Sequence, residues 1–266
     1  MAPTILLADT VTRLRDEHAG QVLVTGSHGG IIAAAYAAQA RVRAVVFNDA
    51  GRGRDDAGVA GLAALDRIGI AACAVAHTSA RIGDAADGFA RGIVSACNAM
   101  AAAAGVAPGM RCETAAAHLR AAAWSTADLA FPPESRALLA PASEGHAPVW
   151  GLDSIGLVEP TDAAAVLVIG SHAALHGRDP ATALPVAARA AIFHDAGRGP
   201  ADANVSRLPV LAIRGVPAAA VDFRSARIGD ARSLWETGVL SVANAPAAAL
   251  GVAPGMRVRD AVARLR

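Results

Sequence analysis

VLVTGSHGG (22–30) is the stretch that decides the fold, and it occurs a second time as VLVIGSHAA (166–174). An apolar run that ends at a glycine turn and leads into a helix former, IIAAAYAAQA (31–40), reads as strand, tight turn and helix. Further along, VRAVVFND (42–49) and IAACAVAH (70–77) are continuous apolar runs, with a helical pattern through VAGLAALDRIG (59–69) between them. Strands without polar alternation suit a parallel sheet covered on both faces. Another helix is expected within FARGIVSACNAMAAAAG (89–105).

The remainder of the chain runs through the same series again. FNDAGRG (47–53) returns as FHDAGRG (193–199), SARIGDA (79–85) returns unchanged at 225–231, and GVAPGMR (105–111) at 251–257, each 146 residues on. Upstream of residue 44 the offset is 144, because the second copy carries two extra residues around HGRDP (176–180), and LADTV (7–11) corresponds to LDSI (152–155). Self-similarity over so long a period is the mark of a duplicated unit. The expected fold class is therefore α/β and Rossmann-like: two tandem homologous βα repeats with parallel sheets related by a pseudo-twofold. Residues 1–120 form the first repeat, the Pro-, Ser- and Ala-containing stretch 121–147 a linker, and 148–266 the second repeat. One wide sheet and two lobes facing a cleft both satisfy this pattern.

Composition limits the function. About a quarter of the 266 residues are alanine, no apolar run is long enough to span a bilayer, and 24 basic groups balance 23 acidic ones. Aromatics are 3% of the chain, which together with the balanced charge argues against nucleic acid as a partner. Every basic residue is arginine, so Schiff-base chemistry, a pyridoxal phosphate anchor, a Ser–Lys pair and a Walker phosphate loop have no lysine to use. TGSHGG does not match the GxGxxG dinucleotide fingerprint, and no cofactor is expected. Cys73, Cys97 and Cys112 lack CxxC spacing, which disfavours a disulfide framework or zinc knuckle and points to a reducing cytoplasm. No membrane association is expected, and homo-oligomer formation is left open.

The repeated polar motifs all follow directly on apolar strands, where open parallel sheets bind their ligands. In the first loop Ser27, His28, Gly29 and Gly30 form a tight turn into a helix, repeated as Ser171 and His172. In the second, Asn48, Asp49 and Arg52 correspond to His194, Asp195 and Arg198. His28 and Asp49 have the residue types of a base and its orienting carboxylate, and His194–Asp195 is the same pair in sequence. In the third, Ser79 and Ser225 are candidate nucleophiles or helix caps. Arg81 and Arg227 offer planar donor forks for a substrate carboxylate, or ion pairs with Asp84 and Asp230. His77 is replaced by Phe223 in the second copy, so it can act in one half only. GVAPGMR reads as a stiff structural turn.

These groups favour a cofactor-independent hydrolase of a small carboxylate- or amide-bearing molecule, with no metal expected because close ligand spacing such as HxH or HExxH is absent, and with His28, Asp49, Ser79, His172, Asp195 and Ser225 as its chemistry. The substrate-binding set is Ser27, Gly29, Gly30, Asn48, Arg52, Arg81, Ser171, His194, Arg198 and Arg227. A lyase or isomerase of a small carboxylic acid, a metal-dependent hydrolase using His28, Asp49, His172, His194 and Asp195, and a non-catalytic small-anion-binding protein are the alternatives.

Overall fold

The structure, a computed structural model, describes residues 3–266. Two separate mostly parallel sheets form, of five and six strands. The chain divides into two compact units, one of residues 1–52, 56–132 and 199–203, the other of residues 53–55, 133–198 and 204–266. Among the described residues no helix is long and apolar enough to cross a membrane.

In the first unit the strand order follows the chain: β1 (Ile5–Ala8), β2 (Val22–His28), β3 (Ala44–Asn48), β4 (Ala71–Val75) and β5 (Val94–Cys97). The first four are parallel and β5 closes the edge antiparallel to β4. Helices α1 (Ile31–Gln39) and α2 (Ala60–Arg67) connect β2 to β3 and β3 to β4. With Val45, Phe47 and Leu65 they fill one face of the sheet. The other face is packed with Val24, Val46, Cys73, Cys112 and Leu119 beneath α3 (Ala85–Arg91), α4 (Ala99–Ala103) and α5 (Cys112–Leu119). Small side chains on α1, with Ala34, Ala35 and Ala37 fully buried, let that helix lie close to its neighbours. Gly61 of α2 meets it so closely that a methyl group there would collide with the Gly30 carbonyl and Ala34.

The helix expected within residues 89–105 is the short α4, and the end of α3 and strand β5 occupy the residues before it. α3 ends at Gly92, a cap position where a β-carbon would strike the Gly88 carbonyl and Val75, and the residues that follow pair as β5. Asn98 then starts α4: its Oδ1 accepts from the Ala101 and Ala72 N–H groups, and its Nδ2 donates to the Ile70 and Leu62 carbonyls. Asn244 makes the corresponding four contacts in the second unit. These asparagines belong to the framework of each unit.

The second sheet runs β11 (Leu240–Ala243), β10 (Ala218–Val221), β9 (Ala190–His194), β8 (Val166–His172), β7 (Val149–Leu152) and β6 (Arg136–Ala140). Residues 121–147, read from composition as a linker, contain β6, which pairs antiparallel with β7. Helices α7 (Ala231–Thr237), α8 (Ala245–Ala249) and α9 (Val258–Leu265) belong to one face, with Val168, Ile192 and Leu234 in the core; α6 (Arg207–Ile213) belongs to the other.

Between β8 and β9 the expected second copy of α1 is absent, and the chain crosses with a single short 3-10 turn at Pro180–Thr182. Pro180 and Pro185 remove helix donors from this segment. Arg207, fully buried at the position matching Gly61, substitutes for the missing helix by donating to the carbonyls of His172, Thr182 and Ala183.

Candidate functional site

The candidate residues fall into the two units. His28, Asp49, Ser79 and Arg81 lie in the first, and His172, Asp195, Ser225 and Arg227 in the second. In each, the residues sit at the carboxyl ends of the central parallel strands, as the motif positions imply.

After β3 the backbone turns through an unusual left-handed run: Ala50 (φ 50°), Gly51 (φ 77°), Arg52 (φ 62°) and Gly53 (φ 71°). The corresponding residues Ala196, Gly197, Arg198 and Gly199 do the same at φ 49°, 73°, 63° and 70°. A left-handed conformation costs a non-glycine residue roughly 1–2 kcal/mol, so side chains must hold the turn in place. Asn48 Oδ1 accepts from the Ala50 N–H at 2.9 Å and its Nδ2 donates to the Ala80 carbonyl at 3.3 Å. His194 makes the equivalent links with its ring: Nδ1 accepts from Ala196 N–H at 3.1 Å and Nε2 donates to the Ala226 carbonyl at 3.2 Å. Amide and imidazole thus span the same two backbone groups, which explains why these different residues occupy matching positions.

Asp49 is buried and its Oδ1 accepts from the Gly51 N–H at 2.9 Å and the His77 N–H at 2.8 Å. The same oxygen lies 3.0 Å from His77 Nδ1. Burial pushes the Asp49 carboxyl upward, but hydrogen bonds from the His77 ring, the Gly51 and His77 backbone and Ser95 outweigh it and hold the group below its ordinary range. An ionised carboxylate can only accept, so Nδ1 carries the hydrogen and the neutral ring has its lone pair on Nε2. The His77 side chain is 20% exposed. The structure therefore brings Asp49 to His77, a residue singled out in the sequence only as a difference between the copies.

Asp195 has the same backbone cradle, accepting from Gly197 N–H at 2.9 Å and Phe223 N–H at 3.0 Å. Its carboxyl nevertheless moves the other way, above the ordinary range, through burial and the nearby Asp222 charge, against hydrogen bonds from Gly197, Ser241 and Phe223. Asp222 itself is held low chiefly by Arg224, which engages both of its oxygens at 3.0 and 2.6 Å. One histidine and one alanine in the first copy, His77 and Ala76, have become Phe223 and Asp222 in the second, and the electrostatics of a shared cradle are inverted.

The first loop is held by its backbone. Gly26 touches the third loop so closely that a β-carbon would lie 2.6 Å from the Asp84 nitrogen, and the Gly83 N–H donates to the Gly26 carbonyl at 2.7 Å. Ser27 and Ser171 accept from the Val11 and Ile155 N–H groups at 3.1 and 2.9 Å. His28 Nδ1 accepts from the Gly30 N–H at 3.1 Å, and His172 Nδ1 from Ala174 N–H at 3.2 Å. Desolvation pulls the His28 imidazole down to about 4. Gly29 lies against Leu62, and Gly30 leaves room for the His28 ring.

Most of SARIGDA has structural work. Ser79 Oγ donates to the Ala76 carbonyl and accepts from the Ile93 N–H; Ser225 donates to the Asp222 carbonyl and accepts from Val239 N–H. Asp84 and Asp230 cap α3 and α7. Arg52 forms a two-pronged ion pair with Asp56 at 2.9 and 3.2 Å. Arg198 has partners as well. Arg227 pairs with Asp55 at 2.6 Å and approaches Asp230 at 3.8 Å. Arg81 Nε, in contrast, is buried without a hydrogen-bond partner. Among the described residues no group of three or more His, Cys, Asp and Glu side chains is gathered as metal ligands would be.

The chain matches no protein-family model, no curated protein and no solved structure.

Proposed function

We propose that the protein is a cofactor-independent hydrolase of a small carboxylate- or amide-bearing molecule, with His77 as general base and Asp49 as the carboxylate that orients it. The observation that carries this reading is the 3.0 Å contact between buried Asp49 and His77 Nδ1, at the ends of adjacent parallel strands. Such an arrangement fixes the ring and its tautomer and stabilises the imidazolium formed when Nε2 takes a proton. Ser79 has its proton committed to a carbonyl, so a water activated by His77 serves as the nucleophile. That water adds to the substrate carbonyl as its proton passes to Nε2, and the same proton then moves to the departing amine or alkoxide. The duplication belongs to this reading: an ancestral βα unit was copied, and the second copy lost its base when Phe223 replaced the histidine.

The test is turnover of a panel of small carboxylate-bearing amides and esters, followed by release of amine or alcohol. Positioned general bases contribute roughly 10²–10⁴-fold, so His77→Gln is expected to lower kcat by at least about a hundredfold while the melting temperature holds. No turnover across the panel, or full turnover by His77→Gln, would contradict the proposal.

A further inference from the structure

Arg81 and Arg227 stand at the same place in two identical heptapeptides, yet Arg227 grips a carboxylate directly whereas Arg81 acts on Asp87 only as a nearby charge. The Arg227 guanidinium donates to Asp55 through Nε at 2.7 Å and lies 2.6 Å from it through the second nitrogen. Both residues lie in the second unit, which takes in residues 53–55. The residue 146 positions after Asp55 is Ala201, which belongs with residues 199–203 to the first unit, as Arg81 does. Alanine there supplies no carboxylate. Of the acids beside Arg81 in the chain, Asp84 caps α3 by accepting from the Asp87 N–H at 2.9 Å, and Asp87 is engaged by Arg91 at 2.7 Å and by the Arg81 backbone N–H at 2.8 Å. A guanidinium whose Nε is buried and unpartnered is left in a loop shared with His77.

We propose that Arg81 is the recognition site for the carboxylate of a small anionic ligand, one per chain, and that Asp55 fills the equivalent place on Arg227 from within the chain. The planar fork that Arg227 turns on Asp55 is the donor set a free carboxylate would meet at Arg81. Desolvation of Nε strengthens the preference for an anionic acceptor over water, because an unmade bond to a buried charged group is costly. The inference deepens the proposed hydrolase by assigning its substrate a carboxylate, but binding at Arg81 does not depend on His77.

The backbone offers a direct exchange experiment. Ala201 has φ 49° and Asp55 φ 57°, so an aspartate at 201 adopts a conformation the chain already has there, and one that aspartate tolerates better than alanine. Calorimetric titration of the full chain with malonate, and in a second arm with inorganic phosphate, should show saturable binding with one site per chain. Arg81→Gln and Ala201→Asp should each weaken it at least about tenfold, Arg227→Gln should leave it intact, and Asp55→Ala should raise the stoichiometry to two. His77→Gln should retain binding, which separates failure of the hydrolase from failure of the anion site. In the unaltered protein, titration should shift the Arg81 Nε–H resonance, a readout that survives poor folding of any variant. Preference for malonate assigns carboxylate, whereas binding of phosphate alone overturns that assignment. No binding of either anion, or equal binding by wild type, Arg81→Gln and Ala201→Asp, overturns the site.

Discussion

Asp49 Oδ1 receives both the backbone N–H and the ring Nδ1 of His77, at 2.8 and 3.0 Å, so one carboxylate oxygen fixes the residue at two points. Asp195 keeps the backbone half of this arrangement with Phe223 and lacks the ring. Asp49→Asn retains an oxygen for the Gly51 and His77 N–H groups but gives up the charge. Its expected stability loss is about 1 kcal/mol, while turnover falls by roughly a hundredfold or more. Chemical denaturation alongside steady-state rates separates the two effects.

Ser79 and Ser225 behave as loop ties. Removing either hydroxyl leaves the Ile93 or Val239 N–H without its acceptor, so Ser79→Ala and Ser225→Ala should each lower stability by roughly 1–3 kcal/mol. Activity measured well below the melting temperature should be unchanged. A kcat collapse confined to Ser79→Ala would restore serine as the nucleophile.

The His28 imidazole, held near 4 in the folded protein against an ordinary 6.5, makes stability depend on pH. Between about 6.5 and 4 the unfolded chain takes up a proton that the folded chain refuses, so acidification through that window destabilises the fold; below it both states are protonated and this contribution levels off. His28→Asn should flatten the dependence in denaturation midpoints measured from pH 7 to pH 4.

Arg207 holds the carbonyls of His172, at the end of β8, and of Thr182 and Ala183 in the irregular crossing that follows, and burial lowers its own pKa to about 9. Arg207→Met fills similar volume but leaves those acceptors unpaired, with an expected loss of about 3 kcal/mol or more. Hydrogen exchange should show the greatest loosening across residues 175–189.

The α/β class, the repeated motifs and the central strands were legible in the amino-acid sequence, because an uninterrupted apolar run flanked by helix formers has few other ways to bury itself. VLVTGSH and AVVFN became β2 and β3 as their composition implied. The sequence could not reveal β5, whose short ValSerAlaCys segment gains strand character only by pairing with β4, nor how the crossing before β9 is held without a helix, which depends on Arg207 arriving from elsewhere in the chain. The site divides in the same way. Residue types and strand-end positions were legible at His28, Asp49 and Arg81, but identical SARIGDA segments cannot disclose that Arg227 meets Asp55 while Arg81 Nε is unpartnered. Nor could spacing choose His77 over His28 as the companion of Asp49. Hydrogen bonding and desolvation act over a few ångströms between residues distant in the chain, so the partners that each repeated group meets are set by the three-dimensional packing and not by the motif.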